Sequence, residues 1–399
     1  MTQTLGIEPR YDAVVVGARC AGAATARLLA RQGLRVLAVE RGRYGSDTLS
    51  THALMRGAVL QLHRWGVLER VRAAGTPTVR TTAFHYRDDV VTVPIKARDG
   101  IDGLYAPRRS VLDALLVDAA VGSGVTVVHE TRVRDLIRSA DGRVRGVVVQ
   151  RPGDEPTEVR AGIVIGADGR TSTVAQRVGA ATLRQGSHAS GVIYAYFRGL
   201  PREGYQFLYG PSVSAGTVES NDGQVCVFAA MSGERFLERE RFDLERGFER
   251  VLRETSPALA DEVAAASRAS VLRGFPGEPG YFRQSWGPGW ALVGDAGYFK
   301  DPITAHGITD ALRDAELLAR AVGAGTEAAL VQYQRQRDEL SLDLFAATDA
   351  IASYAWSMEE VQALHLRMSE AMGPEMEVIR AFDETPGAAS KGRRAERAA

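Results

Sequence analysis

Two glycine-containing segments, far apart in the chain, combine residue types that suit a dinucleotide. The first, VVVGARCAG, places Gly17, Ala18, Ala21 and Gly22 where an apolar run passes into a helical pattern. Glycine permits a tight turn and close packing there, and a helix N-terminus offers free N–H groups to a pyrophosphate. Glu40, at the end of the next apolar run, is placed to accept hydrogen bonds from ribose hydroxyls. This spacing predicts a dinucleotide-binding βαβ unit.

Two arginines modify this prediction. Arg19 stands where the second glycine of G-x-G-x-x-G is expected. A side chain there must point away from the phosphates or contribute its own charge to them. Arg41, beside Glu40, is expected to cover the adenine or to bind phosphate.

The second segment, WALVGDAGYFKDPITAHGITDAL, predicts the other end of the same ligand. Gly294 allows close backbone approach, and Asp295 is suited to bind a hydroxyl of a ribityl chain. Pro302 and Gly307 shape the next loop, and a helix starting near Ile308 presents its N-terminus, where the negative charge of a reduced flavin is stabilised. Because FAD is long enough to need two distant contacts, the pair of segments predicts FAD.

Composition narrows the class of partner. Lys plus Arg equals Asp plus Glu at 49 each, so no overall field favours nucleic acid or an anionic membrane. The two cysteines, Cys20 and Cys226, form neither a disulfide framework nor a metal cluster. No signal core is found at the N-terminus, and no run reaches the ~18 apolar residues of a membrane helix. We expect a cytoplasmic protein without a membrane span, acting on a small molecule.

The order of apolar runs predicts an α/β fold: a Rossmann-like FAD-binding domain with an inserted, mostly antiparallel β-sheet substrate domain and C-terminal helices. The predicted strands are 12–16, 35–39, 79–85, 90–93, 125–128, 143–150, 161–165, 191–197, 205–209, 225–230 and 290–293. The predicted helices are 21–31, 53–65, 109–121, 308–322, 326–353 and 358–372. The predicted domains are FAD-binding parts at 1–78, 109–184 and 287–325, substrate-domain parts at 79–108 (a β-excursion) and 185–286, C-terminal helices at 326–384 and a disordered tail at 385–399.

Together with a central IGADGRTS motif, these segments resemble the FAD-dependent oxidoreductases of the para-hydroxybenzoate hydroxylase type, the group A flavoprotein monooxygenases. The resemblance covers roughly residues 11–350. It implies that Asp168 and Gly169 serve FAD and NAD(P)H, that Arg109 in an R-x-x-L pattern contacts FAD, and that the backbone near Val133 contacts adenine. The family usually has an arginine where this chain has Ala175, which leaves direct use of a nicotinamide open.

Several further residues are expected near the flavin ring. The segment from Ser46 is similar to one that leads towards the ring, which places His52 there, as a helix-capping or packing residue ahead of an acid or base. His306, in the distal loop, is expected close to the ring, where it gates substrate, fills space or donates to the flavin. Lys300 is expected to pair with Asp301 or Asp295. Alternating aromatics on the inserted strands are expected to be mostly core, with some facing the flavin: Tyr194, Tyr196, Phe197, Phe207, Tyr209 and Phe228.

The resemblance implies a monooxygenase in which reduced FAD and molecular oxygen form a C4a-hydroperoxide that hydroxylates or epoxidises a planar, apolar, aromatic or polyketide-like substrate. NAD(P)H, or a separate flavin reductase, is the expected electron source. Two alternatives stay open: a dehydrogenase or reductase similar to geranylgeranyl reductases, and a non-catalytic flavin redox sensor. A halogenase is disfavoured because the W-x-W-x-I-P signature of tryptophan halogenases is absent. No catalytic residue and no metal ligand is assigned from the sequence.

Overall fold

The computed structural model describes residues 7–201 and 203–382. Within them the strands are β1 (Arg10–Val16), β2 (Val36–Val39), β3 (Thr81–Tyr86), β4 (Asp89–Pro94), β5 (Thr126–Val128), β6 (Arg132–Arg138), β7 (Val144–Gln150), β8 (Thr157–Gly166), β9 (Thr182–Gln185), β10 (Ser190–Arg198), β11 (Tyr205–Gly210), β12 (Val213–Glu219), β13 (Val225–Ser232), β14 (Ser267–Arg268), β15 (Arg273–Phe275), β16 (Tyr281–Arg283), β17 (Trp286–Gly287), β18 (Trp290–Leu292) and β19 (Tyr298–Phe299).

The α-helices of the same residues alternate with these strands in the first half and dominate the C-terminal part. They are α1 (Cys20–Arg31), α2 (Arg56–Arg64), α3 (Leu68–Ala73), α4 (Arg109–Val121), α5 (Thr173–Val178), α6 (Gly233–Glu238), α7 (Leu244–Thr255), α8 (Pro257–Ala265), α9 (Gly307–Ala324), α10 (Glu327–Ala352), α11 (Met358–Ala371) and α12 (Gly373–Ala381). Short 3₁₀ turns occur at Asn221–Gly223, Glu240–Phe242, Gly294–Ala296 and Pro302–Thr304.

The first sheet has the strand order β17-β18-β8-β1-β2-β5. β1 runs parallel to β2 and to β8, so that Val15 lies beside Ala38 on one side and Ile165 on the other. Such strands are buried on both faces, which explains their continuous apolar runs. Helices α1, α2, α4 and α9 cover one face, and α5 packs on the other. The β6–β7 hairpin joins this sheet through an antiparallel pairing of β7 with β8.

The second sheet has the order β14-β10-β13-β12-β11-β3-β4. Its pairs are antiparallel except for β11 with β3, which run parallel. Side chains alternate between its two faces. Ile193 and Ala195 of β10 pack against α7 and α8, whereas Val192 and Tyr194 lie on the opposite face of the sheet, toward the interior. The sheet therefore presents one free apolar face to the interior of the molecule.

The predicted α/β fold is confirmed, with corrections to particular elements. α2 begins at Arg56 rather than residue 53, because the backbone N–H of Leu54 donates to Tyr105 O (2.9 Å) in a strand-like bridge. β6 and β12 were not predicted, and neither were α6, α7 and α8 inside the predicted β-sheet domain. The signal for α7 was present, since Phe248, Val251 and Leu252 are buried at helical spacing.

Two predictions concern the ends and the surroundings of the chain. The predicted disordered tail, 385–399, lies outside the described residues. Among the described helices, none combines the length and the apolar character that crossing a membrane requires.

Candidate active site

A cavity of about 700 Å³ lies between the two sheets, at the carboxyl ends of β1, β2 and β8. Parallel α/β sheets bind ligands at this edge, and pockets of this size hold small molecules. The predicted residues that line it come from both distant segments and from the central motif: Gly17, Ala21, Glu40, Arg41, Arg109, Val133, Asp168, Gly169, Asp295, Pro302, Gly307 and Ile308. Residues far apart in sequence thus border one space.

The turn between β1 and α1 requires its two glycines. Gly17 has φ +96°, and a Cβ there would lie 2.4 Å from the Ala167 carbonyl oxygen. A Cβ on Gly22 would lie 1.9 Å from the carbonyl oxygen of Gly17. The glycines therefore let α1 start directly against the loop after β8, with its N-terminus at the cavity.

Arg19 borders the cavity, and partners outside the turn hold its guanidinium. Its Nη1 lies 2.8 Å from Asp113 Oδ2, and its Nη2 donates to Ser46 Oγ (3.2 Å). Asp113 also accepts from Arg109, at 3.0 Å from Nη2 to Oδ1. Ion pairing with Asp113 of α4 thus holds the arginine that stands in place of the second glycine. Sequence reasoning missed Asp113, although its place four residues after Arg109 was a readable helical pairing.

Glu40 is fixed by backbone donors at the end of β2. Its Oε2 accepts from the Ala18 N–H (2.9 Å) and its Oε1 from the Gly42 N–H (2.7 Å). A carboxylate has about four acceptor positions, so it can still accept from a ligand's hydroxyls. Arg41 and Val133 border the same end of the cavity.

The central motif starts a helix. Asp168 accepts from Ser172 Oγ (2.5 Å) and from the Thr173 N–H (2.7 Å), at the N-terminus of α5. Burial raises the pKa of Asp168, against these hydrogen bonds, which lower it. Gly169 has φ +80°, and a Cβ there would meet no atom within 4 Å because it borders the open cavity. The carboxylate therefore serves the local fold as well as the cavity wall.

The distal segment also borders the cavity. Gly294 packs on Ala21, where a Cβ would lie 2.8 Å from the Ala21 Cβ. Burial raises the pKa of Asp295 to about 6, although Arg170 and Arg109 oppose it. α9 begins at Gly307, where an added Cβ would meet open space. The N-terminus of this 18-residue helix faces the cavity.

Four predicted contacts lie behind the wall and not in it: Ala18, Gly22, Gly294 and His306 are absent from the lining. Ala18, Gly22 and Gly294 pack the backbone, as described above. His306 is buried, and its side chain turns away from the cavity. Its Nε2 lies 2.7 Å from Glu375 Oε1 of α12. Lys300 pairs with Asp310, not with Asp301 or Asp295.

The second sheet supplies an apolar wall. Of the predicted aromatics, Tyr194, Phe207 and Phe228 line the cavity, together with Val192, Val218, Ala230 and Phe275 of the same sheet. The distal segment adds Phe299, Pro302 and Ile303. Phe197 and Tyr209 are core residues on other clusters. Tyr196 is buried outside the lining as well, so three of the six aromatics face the cavity and three do not, an even division instead of the expected majority of core residues.

Polar side chains also line the cavity, among them His52 and Arg170. His52 is buried, and its Nε2 lies 2.9 Å from Ser220 Oγ while Nδ1 lies 3.1 Å from Tyr196 OH. Burial lowers the pKa of His52 to about 4, so its ring is neutral at physiological pH. Arg170 stacks on Phe275 and Phe299, at 4.6 and 5.4 Å from their centroids, and pairs with Glu278 (2.6 Å). Arg170 was missed although it lies inside the central motif.

Two curated relatives span most of the chain. Digeranylgeranylglycerophospholipid reductase of Methanothrix thermoacetophila is 28% identical over 83% of this chain and 84% of its own length. Squalene epoxidase of Schizosaccharomyces pombe is 25% identical over 83% of this chain and 73% of its own length.

Solved structures share the fold. PqsL of P. aeruginosa, in complex with 2-aminobenzoylacetate, has a TM-score of 0.76 and 22% identity over 91% of this chain and 99% of its own. The myxobacterial chondrochloren halogenase CndH has a TM-score of 0.76 and 21% identity over 94% of this chain and 93% of its own. At these identities the likeness concerns the fold.

A family described as an FAD binding domain matches residues 10–347. The match extends across all three motifs and confirms the resemblance that they predicted. The chain therefore belongs to this FAD-binding-domain family of FAD-dependent oxidoreductases.

Proposed function

We propose that the protein is a flavin-dependent monooxygenase that hydroxylates or epoxidises a planar, apolar, aromatic or polyketide-like small molecule. The observation that carries this proposal is the apolar wall of Tyr194, Phe207 and Phe228, which shares one cavity with Asp295 and the N-terminus of α9. Aromatic side chains bind planar apolar ligands well, and a wall of this kind excludes water from the reacting centre.

The residues present suit FAD. Two cavity-facing glycines, Gly169 and Gly307, leave a cradle that a Cβ would fill. Glu40 offers acceptor positions for the adenosine ribose at one end, and Asp295 offers a carboxylate for the ribityl chain at the other. We assign the cofactor contacts on this basis, with the adenine beside Val133 and Arg41.

Bound FAD supplies the oxygen activation that no amino-acid side chain provides. The chain's own residues bind, orient and exclude water. The free N–H groups of α9 stabilise negative charge beside the cavity at Gly307 and Ile308. The second sheet holds the substrate against that end.

We propose NAD(P)H as the electron donor, either directly or through a separate flavin reductase. Ala175 is buried in α5, whereas Arg177, two residues on, lines the cavity and supplies a cationic side chain there. For the cellular setting we propose the cytoplasm, which agrees with two buried cysteines that are not joined to each other.

The second candidate is a dehydrogenase or reductase. It is favoured by the 28% identity to digeranylgeranylglycerophospholipid reductase over 83% of the chain. In that case the cavity would hold an isoprenoid chain, and hydride would pass between substrate and flavin without oxygen. The squalene epoxidase relative favours the monooxygenase instead.

The deciding experiment mixes anaerobically reduced holoenzyme with ¹⁸O₂ and a panel of planar aromatic substrates. A monooxygenase puts one ¹⁸O atom into the product, as mass spectrometry reports. Reduction or oxidation of the flavin by substrate without oxygen identifies the reductase instead. Product that forms only with bromide or chloride identifies a halogenase. A flavin that gives no product and reacts neither with substrate nor with oxygen identifies a non-catalytic redox sensor.

Variants of the wall test the substrate assignment. Phe228→Ala removes an aromatic side chain from the cavity and is expected to raise KM for a planar substrate about tenfold, which corresponds to about 1.4 kcal/mol of binding. The matched control is Phe242→Ala, because Phe242 is 72% exposed on the surface. An unchanged KM in both variants contradicts the placement of substrate against this wall.

A further inference from the structure

A buried carboxylate, Asp301, joins the second sheet to the distal segment. Asp301 is 3% exposed, and its Oδ2 accepts from the Ser190 N–H (2.6 Å). Its Oδ1 accepts from Ser190 Oγ (2.5 Å) and from the Ile303 N–H (2.9 Å). Two of its three hydrogen bonds therefore go to one residue that lies 111 positions earlier in the chain.

The three donors to Asp301 are neutral groups. Lys300, the residue before it, pairs with Asp310 instead. A buried carboxylate held in this way must recover its burial cost from its hydrogen bonds. Hydrogen bonds to an ionised acceptor are shorter and about twice as strong as those between neutral groups. The contact between Asp301 and Ser190 is therefore short and stiff.

A local capping role accounts for only one of the three bonds. Asp301 precedes the 3₁₀ turn Pro302–Thr304, and its bond to the Ile303 N–H caps that turn. Asparagine caps a helical turn as well as aspartate does, so the cap needs no charge. The two bonds to Ser190, in contrast, need an acceptor at each of the two side-chain oxygens.

Both partners lie directly beside residues that line the cavity. Ser190 is the first residue of β10, whose Tyr194 belongs to the apolar wall. On the other side, Pro302 and Ile303 follow Asp301 in the chain and border the same cavity. Asp301 itself is not part of the lining. The contact therefore joins the wall to the distal segment without touching the contents of the cavity.

A second carboxylate, Asp349 of α10, holds the residues just before β10. Its Oδ1 accepts from the N–H groups of Ser187 (2.9 Å) and His188 (3.0 Å), and its side chain is 21% exposed. These bonds join the start of β10 to α10 and not to the distal segment. Asp349 therefore resembles Asp301 in chemistry and position but not in what it connects.

We propose that Asp301 is a positioning residue: through Ser190 it fixes the gap between the apolar wall and the distal segment, and so excludes water from the cavity during turnover. This inference rests on the proposed function, because it requires FAD and a substrate in the cavity. A displacement of about 1 Å between reacting groups can lower a rate about a hundredfold, and water at the reacting centre permits side reactions. Loss of the contact should therefore divert oxygen from product to hydrogen peroxide.

The test measures the hydrogen peroxide released per FAD reoxidised by the holoenzyme, with a planar aromatic substrate that the wild-type protein oxygenates. Asp301→Asn keeps the size of the side chain and the cap but turns an NH₂ group towards a donor of Ser190. Ser190→Ala removes the hydroxyl alone, and Asp349→Asn is the matched control. Burial raises the pKa of Asp301 to about 6, so the assay is run at about pH 8, where the carboxylate is ionised.

The contact predicts an order of effects. Asp301→Asn is expected to raise peroxide release about fivefold and Ser190→Ala about twofold, because the Ser190 N–H bond remains in the second variant. The double variant should match Asp301→Asn, since both changes act through one contact. The Asp349→Asn variant should stay at the wild-type value, and all variants should keep the wild-type FAD content.

Unchanged peroxide release in Asp301→Asn overturns the proposal, and so does an equal rise in Asp349→Asn. A double variant whose effect is the product of the two single effects would show that Asp301 and Ser190 act independently, which also overturns it. If Asp301→Asn does not fold, Ser190→Ala decides the matter, because it removes one of the three hydrogen bonds. Peroxide release at the wild-type value in that variant overturns the proposal.

Hydrogen exchange of the backbone N–H groups separates this inference from the proposed function, because it needs no substrate. Asp301→Asn should exchange faster at both 190–194 and 303–308, whereas Asp349→Asn should do so only near 187–190. A wild-type protein that oxygenates no substrate contradicts the proposed function, while the exchange rates still test the contact. A wild-type protein that oxygenates substrate, with unchanged exchange and peroxide release in Asp301→Asn, contradicts only the inference.

Discussion

The two ends of the cavity are built in opposite ways. At the end where we propose the adenine, the adenine end, Gly17 and Glu40 belong to one continuous βαβ unit, and the backbone N–H groups of Ala18 and Gly42 hold the carboxylate. At the end where we propose the flavin ring, a buried group of charges, the ring-end cluster, brings together Lys300 of a loop, Asp310 and Arg313 of α9, and Glu375 of α12. The first end depends on backbone geometry, whereas the second depends on buried charges brought together by the tertiary fold.

This difference predicts which changes each end tolerates. A buried backbone N–H group costs little free energy when a carboxylate oxygen accepts its hydrogen bond. In a buried ion-pair network, in contrast, removal of one partner leaves an opposite charge buried without compensation, which strongly destabilises the fold. Loss of one member of the ring-end cluster should therefore destabilise the protein more than loss of one ligand contact at the adenine end.

The largest effect is expected for Arg313→Leu. Arg313 is fully buried and pairs with Asp310, Asp314 and Glu375, so its removal leaves three carboxylates without their central cation. We expect a loss of about 3 to 5 kcal/mol in the free energy of unfolding, measured by urea denaturation. Arg335→Leu, which breaks an exposed pair with Glu339, is the control and should cost under about 1 kcal/mol. Equal losses would remove the contrast between the two ends.

The next largest effect is expected for Gly17→Ala. The new Cβ meets the Ala167 carbonyl at 2.4 Å, and the residue must also keep φ +96°. Strain and overpacking together should cost about 2 to 4 kcal/mol and abolish FAD binding. Gly33→Ala is the matched control, since Gly33 has φ +88° with no atom within 4 Å of its Cβ position. A Gly17 variant no less stable than the Gly33 variant would show that the turn can relax.

Glu40→Gln should act on binding and leave the fold intact. The amide can accept from only one of the two N–H groups and opposes the other with its NH₂. We expect the Kd for FAD to rise about thirtyfold, or about 2 kcal/mol, with an unchanged flavin spectrum. Fluorescence titration measures the Kd, with the exposed Glu158→Gln as control. A changed spectrum would place Glu40 beside the ring instead.

The last effect is confined to one pH range and comes from the titration of Asp295. Burial raises its pKa from 3.8 to about 6, so the folded apo-protein binds this proton more tightly than the unfolded chain. The resulting stabilisation is present below about pH 4 and is lost as the pH rises through about 6. Asp295→Asn should flatten that part of the stability curve, and the exposed Asp261→Asn should not. A fall of equal depth in all three proteins would assign it to other groups.

The sequence predicted the features that depend on neighbouring residues. The turn at Gly17, the strand end at Glu40 and the helix start near Ile308 are local patterns, and the structure has all three at the cavity. The family was readable for the same reason, because its motifs are short and keep their order.

The features that depend on contacts between distant residues could not be predicted. No local pattern near His306 predicts its contact with Glu375, 69 residues later, and this contact turns the histidine away from the cavity. The predicted partner of Lys300 was wrong for a related reason, because Asp310 becomes its neighbour only when the loop folds back onto α9. Arg170 is an intermediate case, since its motif was recognised but its stacking partners, Phe275 and Phe299, come from segments much later in the chain.

A crystal structure of the protein with FAD measures the central claim most directly, because it shows which end of the cofactor lies at which end of the cavity. We predict the adenosine ribose at Glu40, the ribityl chain at Asp295, and the isoalloxazine between the α9 N-terminus and Phe228. A flavin ring at the Glu40 end, or a ring separated from Phe228 by protein, would contradict the assignment of the two ends.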